Sequence, residues 1–246
     1  MYVRLLVLTL LAVASFSGRA IAAETVAILG TGRMGGAFGG QFARLGYHVI
    51  YGSRDPGRAD VQSLLLKTGH GAEAVSSAAA VGRADLVVLA LPWSATEATL
   101  RGLNLKGKTV IDPINAIRTG ANKQMEMAVD TSAAERIQAL LPGAHIVKAF
   151  NAVGFHVIAD PAAAGGPVTI PLAGDDPAAK TRVAAIVSAF GFESLDLGPL
   201  RHARVLEGMA ILYMVPYVSG RRDDAFEYYL RRGAAPRESS GVRPAQ

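Results

Sequence analysis

The sequence predicts an α/β fold: a doubly wound parallel sheet followed by a small helical C-terminal portion. Three observations carry this. Short apolar, β-branched runs alternate along the chain with helix-length segments, as in successive βαβ units. The run Leu86-Val87-Val88-Leu89-Ala90 is apolar without a break, the pattern of a parallel strand covered on both faces. The first run, Thr25 to Leu29, empties directly into Gly30-Thr31-Gly32-Arg33-Met34-Gly35, and a helical segment follows.

The elements follow in order. Ala37 to Leu45 reads as a helix stopped by Gly46, and Tyr47 to Tyr51 as a second strand. Val61 to Lys67 continues as a helix, and Gly71 to Ala74 as a short third strand. After the fourth strand, Leu91-Pro92-Trp93 turns the chain and Ser94 is a candidate N-cap for Ala95 to Arg101. Lys108 to Asp112 is the fifth strand, stopped by Pro113. Ser132, with Glu135 three residues on, forms a capping box that starts a helix to Leu141. His145 to Phe150 is the sixth strand. The Ala-, Gly- and Pro-rich stretch from Ala159 to Pro167 is a loop. Val168 to Ala173 and Phe192 to Leu197 are further strands, separated by a helix that Asp176-Pro177 opens. The main unit therefore spans residues 23–198. A helical portion covers 199–232, with one helix to about Tyr217 and a second from Asp223 to Arg232, and residues 233–246 form a disordered tail.

The glycine loop carries the first functional inference. Gly30 permits a tight turn, Gly32 leaves room for a pyrophosphate, and Gly35 lets helix and strand pack closely. The helix N-terminus beyond them offers free N–H groups and a partial positive charge to phosphates. Strand, turn and helix in this order point to a dinucleotide. At the end of the second strand, where an acidic residue takes the ribose hydroxyls of NAD, this chain has Gly52-Ser53-Arg54 and then Arg58. A hydroxyl and two guanidinium groups fit a 2′-phosphate, which makes NADP the expected cofactor. The alternative is that these are solvated loop arginines.

Composition narrows the partners. The 246 residues hold 25 basic and 20 acidic side chains, a net charge of +5, and no cysteine. Disulfides and thiolate chemistry are excluded, and the arginines are scattered without interleaved aromatics, which argues against nucleic acid. The five histidines fall at spacings without ligand logic, so no metal site is expected. Residues 1–22 read as a signal peptide: Arg4, an apolar stretch from Leu5 to Phe16, and the cleavage pattern Ala20-Ile21-Ala22. That predicts a periplasmic or secreted protein with no stable membrane span after cleavage, or a cytoplasmic one if the start codon is misplaced. A homodimer is compatible with this organisation.

Several segments together resemble the NADPH-dependent reductases of the deazaflavin coenzyme F-420. They are Ile28 to Gly35, Gly52-Ser53-Arg54-Asp55-Pro56, Val88 to Trp93, Val147-Lys148-Ala149-Phe150-Asn151, Ala173 to Pro177 and Asp196 to Leu200. The same module is similar to the cytosolic oxidoreductase domain of the six-transmembrane metalloreductases. The resemblance spans about residues 24–210. It implies a Rossmann fold and hydride transfer between NADP(H) and a flavin-like or deazaflavin acceptor, a small-molecule redox partner. By resemblance, Thr31, Gly32, Arg33, Ser53, Arg54 and Arg58 lie on NADP, and Leu91, Pro92 and Trp93 flank it. Asn151 and Val153 would stand at the nicotinamide, where the second redox ring stacks, which makes Asn151 and Trp93 the candidate catalytic pair. Two other readings remain open. One is an exported NADP-binding module without turnover. The other is a dehydrogenase of small hydroxy or imino acids, for which Lys148 and Asn151 are the only acid–base pairing in view.

Overall fold

The structure is a computed structural model and describes residues 24–121, 124–218, 228–231 and 233. The expected leader and the tail beyond Gly233 lie outside the described residues, as does most of the expected helix from Asp223 to Arg232. Within that last span, Tyr228 to Arg231 are not helical: the Leu230 carbonyl instead accepts the Thr169 N–H, which extends hydrogen bonding at a strand end. Among the described residues no helix is long and apolar enough to cross a membrane.

Among the described residues, ten strands and eight α-helices form. The strands are β1 (Thr25–Leu29), β2 (His48–Gly52), β3 (Glu73–Val75), β4 (Leu86–Leu89), β5 (Thr109–Asp112), β6 (Ile117–Thr119), β7 (Met125–Met127), β8 (His145–Lys148), β9 (Thr169–Gly174) and β10 (Glu193–Asp196). The helices are α1 (Arg33–Arg44), α2 (Ala59–Thr68), α3 (Ser77–Gly82), α4 (Trp93–Leu100), α5 (Ala133–Leu140), α6 (Phe155–Ala159), α7 (Pro177–Ala189) and α8 (Ala203–Val218). Eight strands build one sheet in the order β10-β9-β8-β5-β4-β1-β2-β3, and β6 and β7 pair as a separate antiparallel hairpin. From β3 to β8 the sheet is parallel, the doubly wound order with its switch point between β1 and β4.

Two expectations are corrected here. β9 runs antiparallel to β8, and β10 follows β9. The cause is the connection: α6 has five residues, about 7 Å of rise, too short to carry the chain back along a strand to the opposite edge. The chain therefore re-enters from the edge it has just left. Helix α4 starts one residue before the expected cap, with Pro92 in the cap position and no side-chain cap. The Pro92 carbonyl accepts the Ala95 N–H and the Thr96 hydroxyl, so Ser94 is not needed there. The other caps hold. Ser132 Oγ accepts the Glu135 N–H at 3.1 Å, and Asp176 Oδ1 accepts the Ala179 N–H at 2.7 Å.

Alternate residues of β1 feed two cores. Val26 and Ile28 face Phe38 and Phe42 of α1 on one side of the sheet, while Ala27 and Leu29 face the opposite cluster with Val81, Leu100 and Ile137. The first core extends to an aromatic group: Phe38 meets Phe150 edge-on at 5.2 Å between ring centroids, and Phe42 meets Phe190 at 5.0 Å. Phe150 is held at φ 61°, a left-handed conformation that a bulky residue adopts only when packing fixes it. Here Phe38, Phe190 and Phe192 supply that packing, and the strained turn directs the chain off β8 toward Asn151.

Helix α1 also sits low on the sheet because Gly39 has no side chain. A Cβ there would lie 1.7 Å from the buried Tyr51 hydroxyl, which is hydrogen-bonded to Thr68 Oγ1 at 2.8 Å. Gly39→Ala should therefore destabilise the fold by about 1–3 kcal/mol through overpacking, despite the better helix propensity of alanine. Chemical denaturation of the two proteins measures this.

Candidate functional site

The carboxyl ends of β1, β2, β4, β5 and β8 share one edge, and the segments that follow β1, β4, β5 and β8 enclose a cleft of about 660 Å³. Its wall includes Gly32, Arg33 and Met34 from the glycine loop, and Leu91, Pro92 and Trp93 after β4. Pro113, Ile114 and Asn115 follow β5, and Phe155 opens α6. The base of the hairpin, Ile117 and Arg118, closes one side.

Each glycine of the loop shows a distinct geometry. Gly30 has φ 116°, and a Cβ there would stand 2.1 Å from the Ala90 carbonyl oxygen. A Cβ on Gly35 would stand 2.1 Å from the Gly30 carbonyl oxygen. Gly32 is different: a Cβ there meets nothing within 4 Å, so the space in front of it is open. Packing thus demands a glycine at two of these positions, while at Gly32 it does not. Gly32 also occupies the N-cap of α1 with no side-chain cap, which leaves the first amides of the helix to a ligand. This open approach at a helix N-terminus fits a dinucleotide pyrophosphate.

The 2′-phosphate candidates lie along the same edge. The Gly30 N–H donates to the Gly52 carbonyl at 3.2 Å, which sets the β2 loop beside the glycine loop. Ser53 is buried, and its hydroxyl accepts the Asp55 N–H at 3.2 Å. Arg54 is exposed. Arg58 is exposed as well and forms a two-pronged ion pair with Asp60, at 2.5 Å and 2.9 Å, which pushes the guanidinium pKa up and draws the carboxyl down. Thr31 is half-buried in the loop between Gly30 and Gly32.

The acceptor-side candidates separate. Trp93 and Pro92 line the cleft, but Asn151 and Val153 do not. Both are buried behind it, in a small space closed by Ile170, Met209 and Tyr228 to Leu230. The Asn151 side-chain amide donates to Leu206 O at 2.7 Å and to Asn115 Oδ1 at 3.0 Å, while Asn115 Nδ2 donates to Asn151 O at 2.8 Å. The residue that reaches the cleft is Asn115. It stands three positions after the end of β5, in Asp112-Pro113-Ile114-Asn115, and a polar residue just past a strand at this edge was the available signal. Phe155, whose ring lies 4.8 Å from the Arg33 guanidinium, and the β6–β7 hairpin were also missed.

Lys148 does not pair with Asn151 as an acid–base dyad. Its ammonium is wholly buried, 2.8 Å from Asp112 Oδ2 and 2.8 Å from Glu207 Oε1, and it also donates to the Ile114 carbonyl. Glu207 further accepts the N–H groups of Ala116 at 3.0 Å, Ala133 at 2.9 Å and Ala134 at 3.3 Å. Burial pushes the Asp112 carboxyl pKa up; the nearby Lys148 ammonium opposes this and the Glu207 charge adds to it.

A glycine turn at the switch point of a doubly wound sheet, with an uncapped helix N-terminus behind it, defines a dinucleotide-binding protein. Comparison with known proteins specifies it. The model of the family described as NADP oxidoreductase, coenzyme F420-dependent, matches residues 25–116. The F420-dependent NADP reductase of Methanothermobacter marburgensis is 30% identical over 198 residues, covering 74% of this chain and 87% of that one. The rat metalloreductase STEAP3 is 30% identical over 193 residues, or 77% of this chain, but the chain spans only 37% of the rat protein's length. A solved structure from Arthrobacter sp. FB24, whose name as an F420-dependent NADP reductase is itself an assignment, superposes with a TM-score of 0.76 at 30% identity. It matches 84% of this chain and 99% of its own. The chain belongs to the F420-dependent NADP oxidoreductase family, and its cofactor is NADP(H).

The contrast between the glycines is testable. Gly32→Val should leave the unfolding midpoint nearly unchanged and abolish NADPH binding, because its side chain occupies the open approach. Gly35→Val should instead lower the midpoint, since its side chain collides with main chain. Thermal unfolding beside a binding titration distinguishes the two effects.

Proposed function

We propose that this protein transfers hydride from NADPH to a flavin-like or deazaflavin acceptor, coenzyme F-420 being the deazaflavin the family name suggests. The observation that carries this is the chemistry of the cleft wall. Among the described residues lining it there is no His, Lys, Tyr, Asp, Glu or Cys. Reduction of a carbonyl or imine needs a proton delivered at the reacting centre, and this wall offers no side chain suited to it. Hydride transfer between two stacked rings requires chiefly that they be held face to face, which apolar walls and an indole can do. When bound, NADPH would supply the hydride. Gly32 and the α1 N-terminus would hold its pyrophosphate, Ser53, Arg54 and Arg58 its 2′-phosphate, and Trp93 would help position the ring it reduces.

Two measurements test this reading. NADPH should bind more tightly than NADH. Arg54→Ala should weaken NADPH about ten- to a hundredfold, as loss of one charge-assisted contact does, and leave NADH nearly unchanged. Stopped-flow mixing of the NADPH complex with FMN, or with a deazaflavin, should then show oxidation of the nicotinamide. Trp93→Leu should slow that step while NADPH binding stays nearly normal. Tight NADPH binding with no oxidation by either ring would replace this reading with that of a binding module.

A further inference from the structure

We infer that Asn115 is the residue that docks the nicotinamide carboxamide, and that Asn151 with the buried Asp112–Lys148–Glu207 cluster is the device that orients it. The inference rests on NADP(H) as cofactor and is independent of the acceptor. The sequence motifs do not point to Asn115; its placement in the structure does.

The side-chain amides of Asn115 and Asn151 are fixed by main-chain carbonyls, which can only accept. Asn151 Nδ2 donates to Leu206 O, which settles which way the Asn151 amide faces. Its second N–H then requires an acceptor, and Asn115 Oδ1 is 3.0 Å away. That leaves Asn115 Nδ2 facing Asn151 O, to which it donates at 2.8 Å. Asn115 spends one N–H and one lone pair in this exchange. One N–H and one lone pair remain, without another partner among the described residues, on a half-buried side chain lining the cleft. An amide with one free donor and one free acceptor complements another primary amide, and the nicotinamide of the cofactor carries one.

The backbone on both sides of Asn115 is held as firmly. Ile114 donates its N–H to Asp112 Oδ1 at 2.9 Å and gives its carbonyl to Lys148. Ala116 donates its N–H to Glu207 Oε2 at 3.0 Å. Three side chains with no solvent exposure therefore fix the residues before and after Asn115. Glu207 also takes the first two amides of α5, and so ties the Asn115 segment to both α5 and α8. An ion cluster this costly to bury is best explained by a need to hold a short segment in one place, and the polar side chain that segment offers to the cleft is Asn115.

The test measures recognition of the carboxamide rather than turnover. Dissociation constants are determined for NADP⁺, for its 3-acetylpyridine analogue, which keeps the carbonyl but lacks the amide N–H groups, and for 2′,5′-ADP, which lacks the nicotinamide half. In the unmodified protein NADP⁺ should bind several-fold more tightly than the acetylpyridine analogue. Asn115→Leu should weaken NADP⁺ about tenfold, the effect of losing two neutral hydrogen bonds. It should erase the preference over the analogue and leave 2′,5′-ADP binding unchanged, which also shows that the variant is folded. Glu207→Gln, acting only through position, should reduce the same preference without weakening 2′,5′-ADP. Asn115→Ser replaces Asn115→Leu if the latter fails to bind 2′,5′-ADP. A preference over the analogue that survives in the Asn115 variant, or that is absent from the unmodified protein, would overturn the inference.

Discussion

The interaction on which the site depends is the buried contact of one ammonium with two carboxylates. Lys148 ends β8, Asp112 ends the neighbouring β5, and Glu207 comes from α8, some sixty positions further along the chain. Removing such groups from water costs several kcal/mol per ion, a cost offset only when every proton and lone pair finds a partner. Here the Lys148 ammonium donates to the Ile114 carbonyl and lies 2.8 Å from both Asp112 Oδ2 and Glu207 Oε1, and Glu207 accepts three backbone N–H groups besides, but Asp112 Oδ2 has only the ion pair and no hydrogen bond. The cluster is therefore less a source of stability than a constraint. It allows one relative placement of β5, β8, α5 and α8, and the loop after β5 is held inside that placement.

The glycine loop obeys a different physics at the other end of the same cleft. There the determinants are absences: a Cβ missing at Gly30 and Gly35 so that main chain can touch main chain, and one missing at Gly32 that leaves open space before the α1 N-terminus. Steric permission holds one half of the cleft and buried charge the other. They meet at the switch point between β1 and β4, where the chain order reverses and the loops diverge enough to leave 660 Å³ between them.

This difference explains what could be read from the sequence. A missing side chain is visible in a sequence, so the turn at Gly30 to Gly35, its strand and its helix were legible, and with them the doubly wound parallel character of the sheet. Ser132 with Glu135 and Asp176 with Pro177 were legible for the same reason, since caps are local. The direction of β9 was not, because Val168 to Ala173 is equally apolar whichever way it runs; the length of α6 decides it. The hairpin of β6 and β7 was not, because each strand has three residues, too few for an alternation such as that of Met125-Glu126-Met127 to stand out. Lys148, Asp112 and Glu207 gave no sign of their association, because contacts between distant positions leave no local pattern. Asn151 was placed at the reacting ring by resemblance, whereas the fold turns its amide toward Leu206 and Asn115.

The two arginines at the adenosine end show why geometry alone does not rank them. Arg58 is already engaged by Asp60 in an ion pair with favourable two-pronged geometry, yet both partners are exposed, and pairs of that kind contribute little because water and salt screen them. A phosphate brings up to two charges and several acceptor oxygens, so it competes well with one carboxylate for the same guanidinium. The Arg58–Asp60 pair is then a holding arrangement: it keeps the guanidinium over the first turn of α2 without binding it tightly enough to withhold it. On the proposed reading Arg54, which has no such carboxylate partner among the described residues, would make the more direct contribution, and the Ser53 hydroxyl, which accepts the Asp55 N–H, braces the turn from which both arginines extend. On that reading, cofactor choice at this edge would depend on exposed charges carried by a hydrogen-bonded turn, the reverse of the opposite end of the cleft, where buried charges hold a loop.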